Sequence, residues 1–241
     1  MQLVALGTTP STNKHCEALD LARVEDFTCF WAHTQTDGIG QQGNHWESAP
    51  GQNLTFSLVL HPTFLDAARQ FRLSQCLALG VCDRLHTLLP DREVLIKWPN
   101  DIYIGNGKLC GTLISTRLAA GRVASAVCGI GLNVNQTDFP SWVPHPVALC
   151  QLAGRSLPLL PLLRSLLADI EHRYRQLRLG IDPVPDYLAR LMNLGRPARY
   201  RYRNADIEAT ITGLDPYGHL LLSASDGQKL CCGLKEIALL D

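Results

Sequence analysis

Two hydrophobic periods alternate along this chain, and the switches between them outline its elements. Leu54, Phe56, Leu58 and Leu60 recur at every second position, the period of a half-buried strand, whereas Leu73, Leu77 and Val81 lie on one face of a helix over about 71–89. Ser11 is placed to cap a helix that runs to about residue 23, and positions 28–33 form a strand entering a long polar, glycine-rich loop. Val94-Leu95-Ile96 is apolar throughout, as in a buried strand. Gly105-Asn106-Gly107 marks a hairpin from Ile102-Tyr103-Ile104 into a long strand starting at Lys108, and Ala120-Gly121 turns the chain into a strand over 123–134. Helical spacing returns over 159–179 and 184–194, with basic residues in the last turns of the first. After Gly195-Arg196-Pro197 the pattern shortens to strands separated by Asn204-Ala205-Asp206, Asp215-Pro216-Tyr217-Gly218 and Asp226-Gly227. The pattern predicts an α+β fold: a mixed, largely antiparallel sheet with helices over residues 1–194, then a small β-barrel over residues 195–241.

Composition narrows the function without choosing it. A chain of 241 residues, 46% hydrophobic and 18% charged, predicts a soluble globular protein and excludes disorder. Lys plus Arg and Asp plus Glu balance at 22 each, so no basic field attracts nucleic acid or an anionic membrane. The N-terminal residues lack the basic segment of a secretory signal, and no apolar run could span a bilayer, which predicts a cytoplasmic location. The nine cysteines form no C-x-x-C pair and predict reduced thiols; the eight histidines form no ligand cluster, so a metal is expected only alongside a nucleotide.

Three motifs carry chemistry. Lys97-Trp98-Pro99-Asn100-Asp101 puts a cation, an amide and a carboxylate around a turn at the end of a buried strand. Pro99 fixes its own φ and holds Trp98 extended, and Asn100 and Asp101 favour the turn. The loop from Gln35 to Ser48 carries Gly38, Gly40 and Gly43 in the G-x-G-x-x-G spacing, but it leads to Trp46 and Pro50 and then a strand, with no helix and no acidic residue at that strand's end. A dinucleotide fold is therefore excluded, while the loop's N–H groups could cradle an anion. In Gly129-Ile130-Gly131-Leu132-Asn133-Val134-Asn135, alternate glycines weaken a strand unless something approaches its backbone, and Asn133 and Asn135 would share their face.

Together with Ser11-Thr12-Asn13, Asn53-Leu54-Thr55-Phe56-Ser57 and Lys108-Leu109-Cys110-Gly111, these motifs resemble, in order, those of the biotin–protein ligases. The resemblance covers nearly all of the first 140 residues, and it implies a class II synthetase-like catalytic domain with an SH3-like C-terminal domain. It implies that biotin is activated by ATP as biotinyl-AMP and transferred to a lysine of a biotin carboxyl carrier domain, with Mg²⁺ accompanying the nucleotide and a homodimer left open. Lys97 would be the catalytic cation, neutralising charge on the α-phosphate and carboxylate, an effect worth about 3–4 kcal/mol per donor. Biotin would meet Ser11, Thr12, Asn13, Gln35, Ile39, Gly40, Gln41, Lys97, Gly111 and Gly131. The nucleotide would meet Gly38, Gly43, Asn44, Trp46, Asn100, Asp101, Lys108 and Asn133, with Asp101 also on the Mg²⁺.

Two departures from the family stand out. Many members begin with a winged helix-turn-helix, for which Ser11 leaves no room, so the resemblance is to the ligase-only branch. Many also carry arginines in the glycine loop, where this chain has Ile39, Gln41, Gln42 and Asn44. The competing readings are a lipoate or octanoate ligase, a non-catalytic biotin-binding regulator, and a nucleic-acid module built on Arg199, Arg201 and Arg203; the last is disfavoured against a solvated strand face or a patch for an acidic carrier protein.

Overall fold

The computed structural model describes residues 2–240. Its first unit is a seven-stranded sheet in the order β1-β2-β3-β7-β6-β5-β4. The strands are β1 (Gln2–Thr9), β2 (Thr28–Gln35), β3 (Leu54–Leu60), β4 (Val94–Lys97), β5 (Asp101–Ile104), β6 (Gly107–Ala119) and β7 (Arg122–Leu132). β1 runs parallel to β2 and every other neighbour pairs antiparallel, so the sheet is mixed and largely antiparallel as predicted. The helices are α1 (Thr12–Glu17), α2 (Phe71–Leu88), α3 (Leu149–Ala153), α4 (Leu159–Arg178) and α5 (Val184–Ala189).

α2 and α4 cover one face, where Leu73, Leu77, Leu163, Leu166 and Ile170 meet Phe56, Leu58, Cys128 and Ile130 in the main core. The two helices approach closely at Gly80, where any β-carbon would overlap the Ile170 backbone. α1 covers part of the opposite face over a smaller cluster of Cys16, Leu21, Phe30, Val59 and Val127. β3 is consequently buried at all of its positions, not half-buried as its alternation predicts. Its polar Thr55 and Ser57 do not face water: the Thr55 hydroxyl donates to the Ala32 carbonyl of β2, and Ser57 meets Thr12 and Asn13 of α1.

Several boundaries differ from expectation. The helix expected over 11–23 stops at Glu17, because Asp20 starts a separate turn by accepting from the Ala22 N–H. The helix expected over 184–194 stops at Ala189, because the chain then pairs with β4: the Ile96 N–H donates to the Arg190 carbonyl at 2.8 Å, and the Met192 N–H to the Ile96 carbonyl at 2.9 Å.

A second, antiparallel sheet follows, of β8 (Pro197–Tyr202), β9 (Ala205–Leu214), β10 (Leu220–Ala224), β11 (Lys229–Cys232) and β12 (Ile237–Leu239), in the order β11-β10-β9-β8-β12. It leans on the turn between β4 and β5, where Trp98 Nε1 donates to the Gly218 carbonyl at 3.0 Å. On the other side of that turn the Tyr187 hydroxyl donates to the Pro99 carbonyl at 3.0 Å. The motif around Lys97 is thus gripped by α5 and the second sheet together. No helix of the described residues is long and apolar enough to cross a membrane, and the cysteines among them are free thiols.

Candidate active site

A cleft of about 210 Å³ opens on the face of the first sheet next to α1, floored by β6 and β7 and roofed by the glycine loop. Its floor is low because Gly111, Gly129 and Gly131 lack side chains. A β-carbon on Gly129 would overlap the Asn13 carboxamide, and one on Gly131 would overlap the Trp46 indole. These alternate glycines exist for close approach, and the approaching groups are themselves site residues.

One end of the cleft is a buried polar relay. Thr12, Asn13 and Ser57 are each 3% exposed or less. Gln35 Oε1 accepts from the Thr12 N–H at 2.8 Å and lies 3.1 Å from the Thr12 hydroxyl. Ser57 Oγ stands 2.8 Å from Thr12 Oγ1 and 2.5 Å from Asn13 Oδ1, and Asn13 Nδ2 donates to the Leu113 carbonyl at 3.2 Å. The relay joins α1, β2, β3 and β6. Ser11 lines the same end, but it makes no side-chain cap to α1.

The other end carries charge. Lys108 Nζ sits 2.7 Å from Asp101 Oδ2 and 5.8 Å from the centroid of the Trp46 ring. Trp46 Nε1 is buried and has no hydrogen-bond partner among the described residues, so a ligand acceptor at this end would satisfy it. Asn100 is 4% exposed and locks the turn by donating to the Thr112 carbonyl.

The glycine loop folds on itself as a small hairpin, with Ile39 bridged to His45. The N–H groups of Gly40, Asn44 and Trp46 donate to the carbonyls of Asn44, Gln41 and Gly38. These three amides are engaged inside the loop, so an anion cradle would have to be built from its other N–H groups. An ion pair between Lys14 and Asp37, 2.5 Å long, ties the start of the loop to α1 and holds the Asp37 carboxyl below its ordinary range.

Most residues expected from sequence meet in this one cleft: Ser11, Thr12, Asn13 and Gln35; Ile39, Gly40, Gln41, Asn44 and Trp46; Asn100, Asp101, Lys108, Gly111 and Gly131. Four do not line it. Gly38 accepts the Trp46 N–H at the base of the loop, and Gly43 forms the loop's turn at φ +81°. Asn133 falls just beyond the end of β7, so the alternation that would put it beside the glycines has ended; its amide turns inward to the carbonyls of Lys108 and Val147. Asn135, which was not among the expected ligand contacts, likewise ties the backbone, exchanging two hydrogen bonds of 2.9 Å with Leu157. Lys97 pairs with Asp101 across the turn, but its Nζ lies 5.3 Å from the Tyr103 ring and it lines a neighbouring cavity against Tyr200 of the second sheet. Gln41 forms part of the wall of both cavities, so Lys97 stands next to the cleft and not in it. Sequence reasoning passed over His45, Thr112, Leu113, Gly129 and Ile130 as lining residues; only the alternation of Gly129 with Gly131 signalled any of them.

Asp101 is the cleft's single carboxylate among the described residues, and Lys108 already neutralises it. That donor set fits a Mg²⁺ held chiefly by phosphate oxygens and does not fit an all-protein metal cage.

Residues 7–133 match the model of the biotin/lipoate A/B protein ligase family. The chain is 30% identical to the bifunctional ligase/repressor BirA of Bacillus subtilis, over 91% of this chain and 68% of that protein. It is also 30% identical to the biotin–[acetyl-CoA-carboxylase] ligase of Paracoccus denitrificans, over 93% of this chain and 95% of that one. The biotin protein ligase of Aquifex aeolicus, solved in complex with biotin and ATP, superposes with a TM-score of 0.82 at 23% identity, covering 99% of this chain and 98% of that chain.

Proposed function

This chain belongs to the biotin/lipoate A/B protein ligase family, and from that membership we propose that it activates biotin with ATP and transfers the biotinyl group to a lysine of a biotin carboxyl carrier domain. In the first step the biotin carboxylate attacks the α-phosphorus, pyrophosphate leaves, and biotinyl-5′-AMP forms. In the second, the neutral amine of the acceptor lysine attacks the acyl carbon, AMP leaves with the bonding electrons, and the amine's proton passes to solvent.

The observation that carries this reading is the relay of Gln35, Thr12, Ser57 and Asn13 at the closed end of the cleft. A ureido ring offers both donors and an acceptor to such a relay. A dithiolane ring offers neither, and each buried polar group it left unpaired would cost about 1–3 kcal/mol. The relay therefore favours biotin over lipoate. A non-catalytic biotin binder would not need the charged end, where Lys108 and the adjacent Lys97 are suited to the polyphosphate. With the Gly40, Asn44 and Trp46 amides engaged inside the loop, retention of the adenylate falls to these two lysines, to Trp46, to the side chain at Gln41 and to the loop's remaining N–H groups. Residues 1–194 do the chemistry, and residues 195–241 brace the Lys97 turn through Trp98. Asp101 is the residue that would meet a Mg²⁺ carried by the triphosphate, where the ion would offset phosphate charge.

Biotin-dependent exchange of labelled pyrophosphate into ATP tests the activation step. Exchange that requires biotin and ignores lipoate is expected; exchange driven equally by lipoate, or none at all, would overturn the assignment.

A further inference from the structure

The turn that grips Trp98 carries a second chemical feature, remote from the relay. Asp215 follows β9, His219 precedes β10, and Cys231 stands on β11 in the next hairpin. Asp215 Oδ1 accepts from the backbone N–H groups of Tyr217 and His219, both at 2.8 Å, which fixes the carboxylate's orientation. Oδ2 is thereby presented to the two other side chains, 2.9 Å from His219 Nδ1 and 3.8 Å from Cys231 Sγ. All three donor atoms lie within 4.8 Å of one another. A tetrahedral zinc ion, with bonds of about 2.0 Å to nitrogen, 2.0–2.2 Å to oxygen and 2.3 Å to sulfur, separates its donors by about 3.3–3.7 Å. The observed separations bracket those values, so small side-chain rotations would close the set. The Glu236 carboxylate, held by the Gly233 N–H and by Arg203, adds negative charge on the same side.

We propose that Asp215, His219 and Cys231 form a binding site for a borderline-soft divalent cation of the zinc class, which clamps the β9–β10 turn to β11. The neutral imidazole and the carboxylate each give a lone pair. The thiol S–H bond breaks as the metal–sulfur bond forms, its proton passing to solvent, and water completes the tetrahedron. Partial desolvation and the facing Asp215 and Glu236 carboxylates hold the free Cys231 thiol above its ordinary pKa, and a bound cation reverses that bias. The clamp acts on the brace of the Lys97 turn: the same turn presents the Gly218 carbonyl to Trp98, and Gly218 rests on the Phe71 ring. Metal occupancy would stiffen the support of a catalytic motif from outside the cleft.

The test uses the full chain, stripped with a chelator and titrated with Co²⁺ while thiolate-to-cobalt charge-transfer absorption is followed. Cys231 is exposed, whereas the other cysteines are buried or half-buried, so the band reports this site. One equivalent should saturate it, Zn²⁺ should displace it, Cys231→Ser should abolish it, and His219→Ala should weaken affinity at least about tenfold. Zn²⁺ should raise the melting temperature of the wild type and not that of Cys231→Ser, with circular dichroism confirming that both are folded. Absence of a band in the wild type, a band retained by Cys231→Ser, or an equal thermal shift in both would overturn the proposal. None of these readouts depends on biotin activation.

Discussion

Gly129→Ala is the sharpest probe of the relay, because it adds one methyl group where the structure leaves no room. The new β-carbon would overlap the Asn13 carboxamide, whose Oδ1 stands 2.5 Å from Ser57 Oγ and whose Nδ2 donates to the Leu113 carbonyl at 3.2 Å. Asn13 is held on α1 and cannot retreat without losing one of these bonds. Ser57 is fully buried and would keep only Thr12 as its partner. Losing one buried hydrogen bond, together with one ligand contact on the same carboxamide, costs about 1–3 kcal/mol, equivalent to roughly 5- to 150-fold in biotin affinity. Overpacking costs a similar 1–3 kcal/mol of stability, which lowers the melting temperature without unfolding the chain. Isothermal titration with biotin, paired with circular dichroism, separates the two effects. A folded Gly129→Ala protein that bound biotin as tightly as the wild type would refute the assignment of Asn13 and Ser57 to the ligand.

Lys97→Ala should leave the fold intact, since the side chain is half-buried at a sheet edge, but should lower biotin-dependent pyrophosphate release at least about a hundredfold. Near-normal release would remove Lys97 from the chemistry and leave Lys108 as the working cation. Gln41→Arg should slow escape of preformed labelled adenylate by about 2- to 30-fold, the difference between a neutral and a charge-assisted hydrogen bond to phosphate. Equal escape rates, in proteins that form the adenylate equally well, would show that this side chain does not retain it. Asn53→Ala should cost about 1–3 kcal/mol in a denaturant titration, because Asn53 is 2% exposed and holds the Val134 N–H at 2.9 Å and Gln136 Oε1 at 2.6 Å. A change smaller than the error of the titration would show that other contacts carry that junction.

What was legible in the sequence was local. α4 stood out because it is long and packs one repeating face; β3 and α2 were found by their periods although the structure buries β3 on both faces and the middle of α2 all round, and the glycines of β7 signalled a close approach that the structure supplies in Asn13 and Trp46. Pairing between distant segments was not legible. β1 is an edge strand whose exposure has no clean period, and only its parallel register with β2 makes it a strand. Residues 190–194 have helical spacing and yet pair with strands, 190–192 with β4 and Leu194 with Ile211 of β9. A polar position in β3 suggests water, but Ser57 faces α1, and nothing local to Ser57 reveals a helix more than forty residues away. Asn133 was placed by an alternation that stops one residue before it. The Asp215, His219 and Cys231 donors are brought together by a turn and a cross-strand neighbour, so no motif of fixed spacing contains them.

The central claim, that this cleft activates biotin for transfer to a protein lysine, is tested most directly by incubating the chain with a biotin carboxyl carrier domain and following the mass of that domain. Addition of one biotinyl group, requiring ATP and biotin together, absent with lipoate and abolished when the carrier lysine is replaced by arginine, is the predicted result. An unmodified carrier in the presence of every substrate, or equal modification by lipoate, would contradict it.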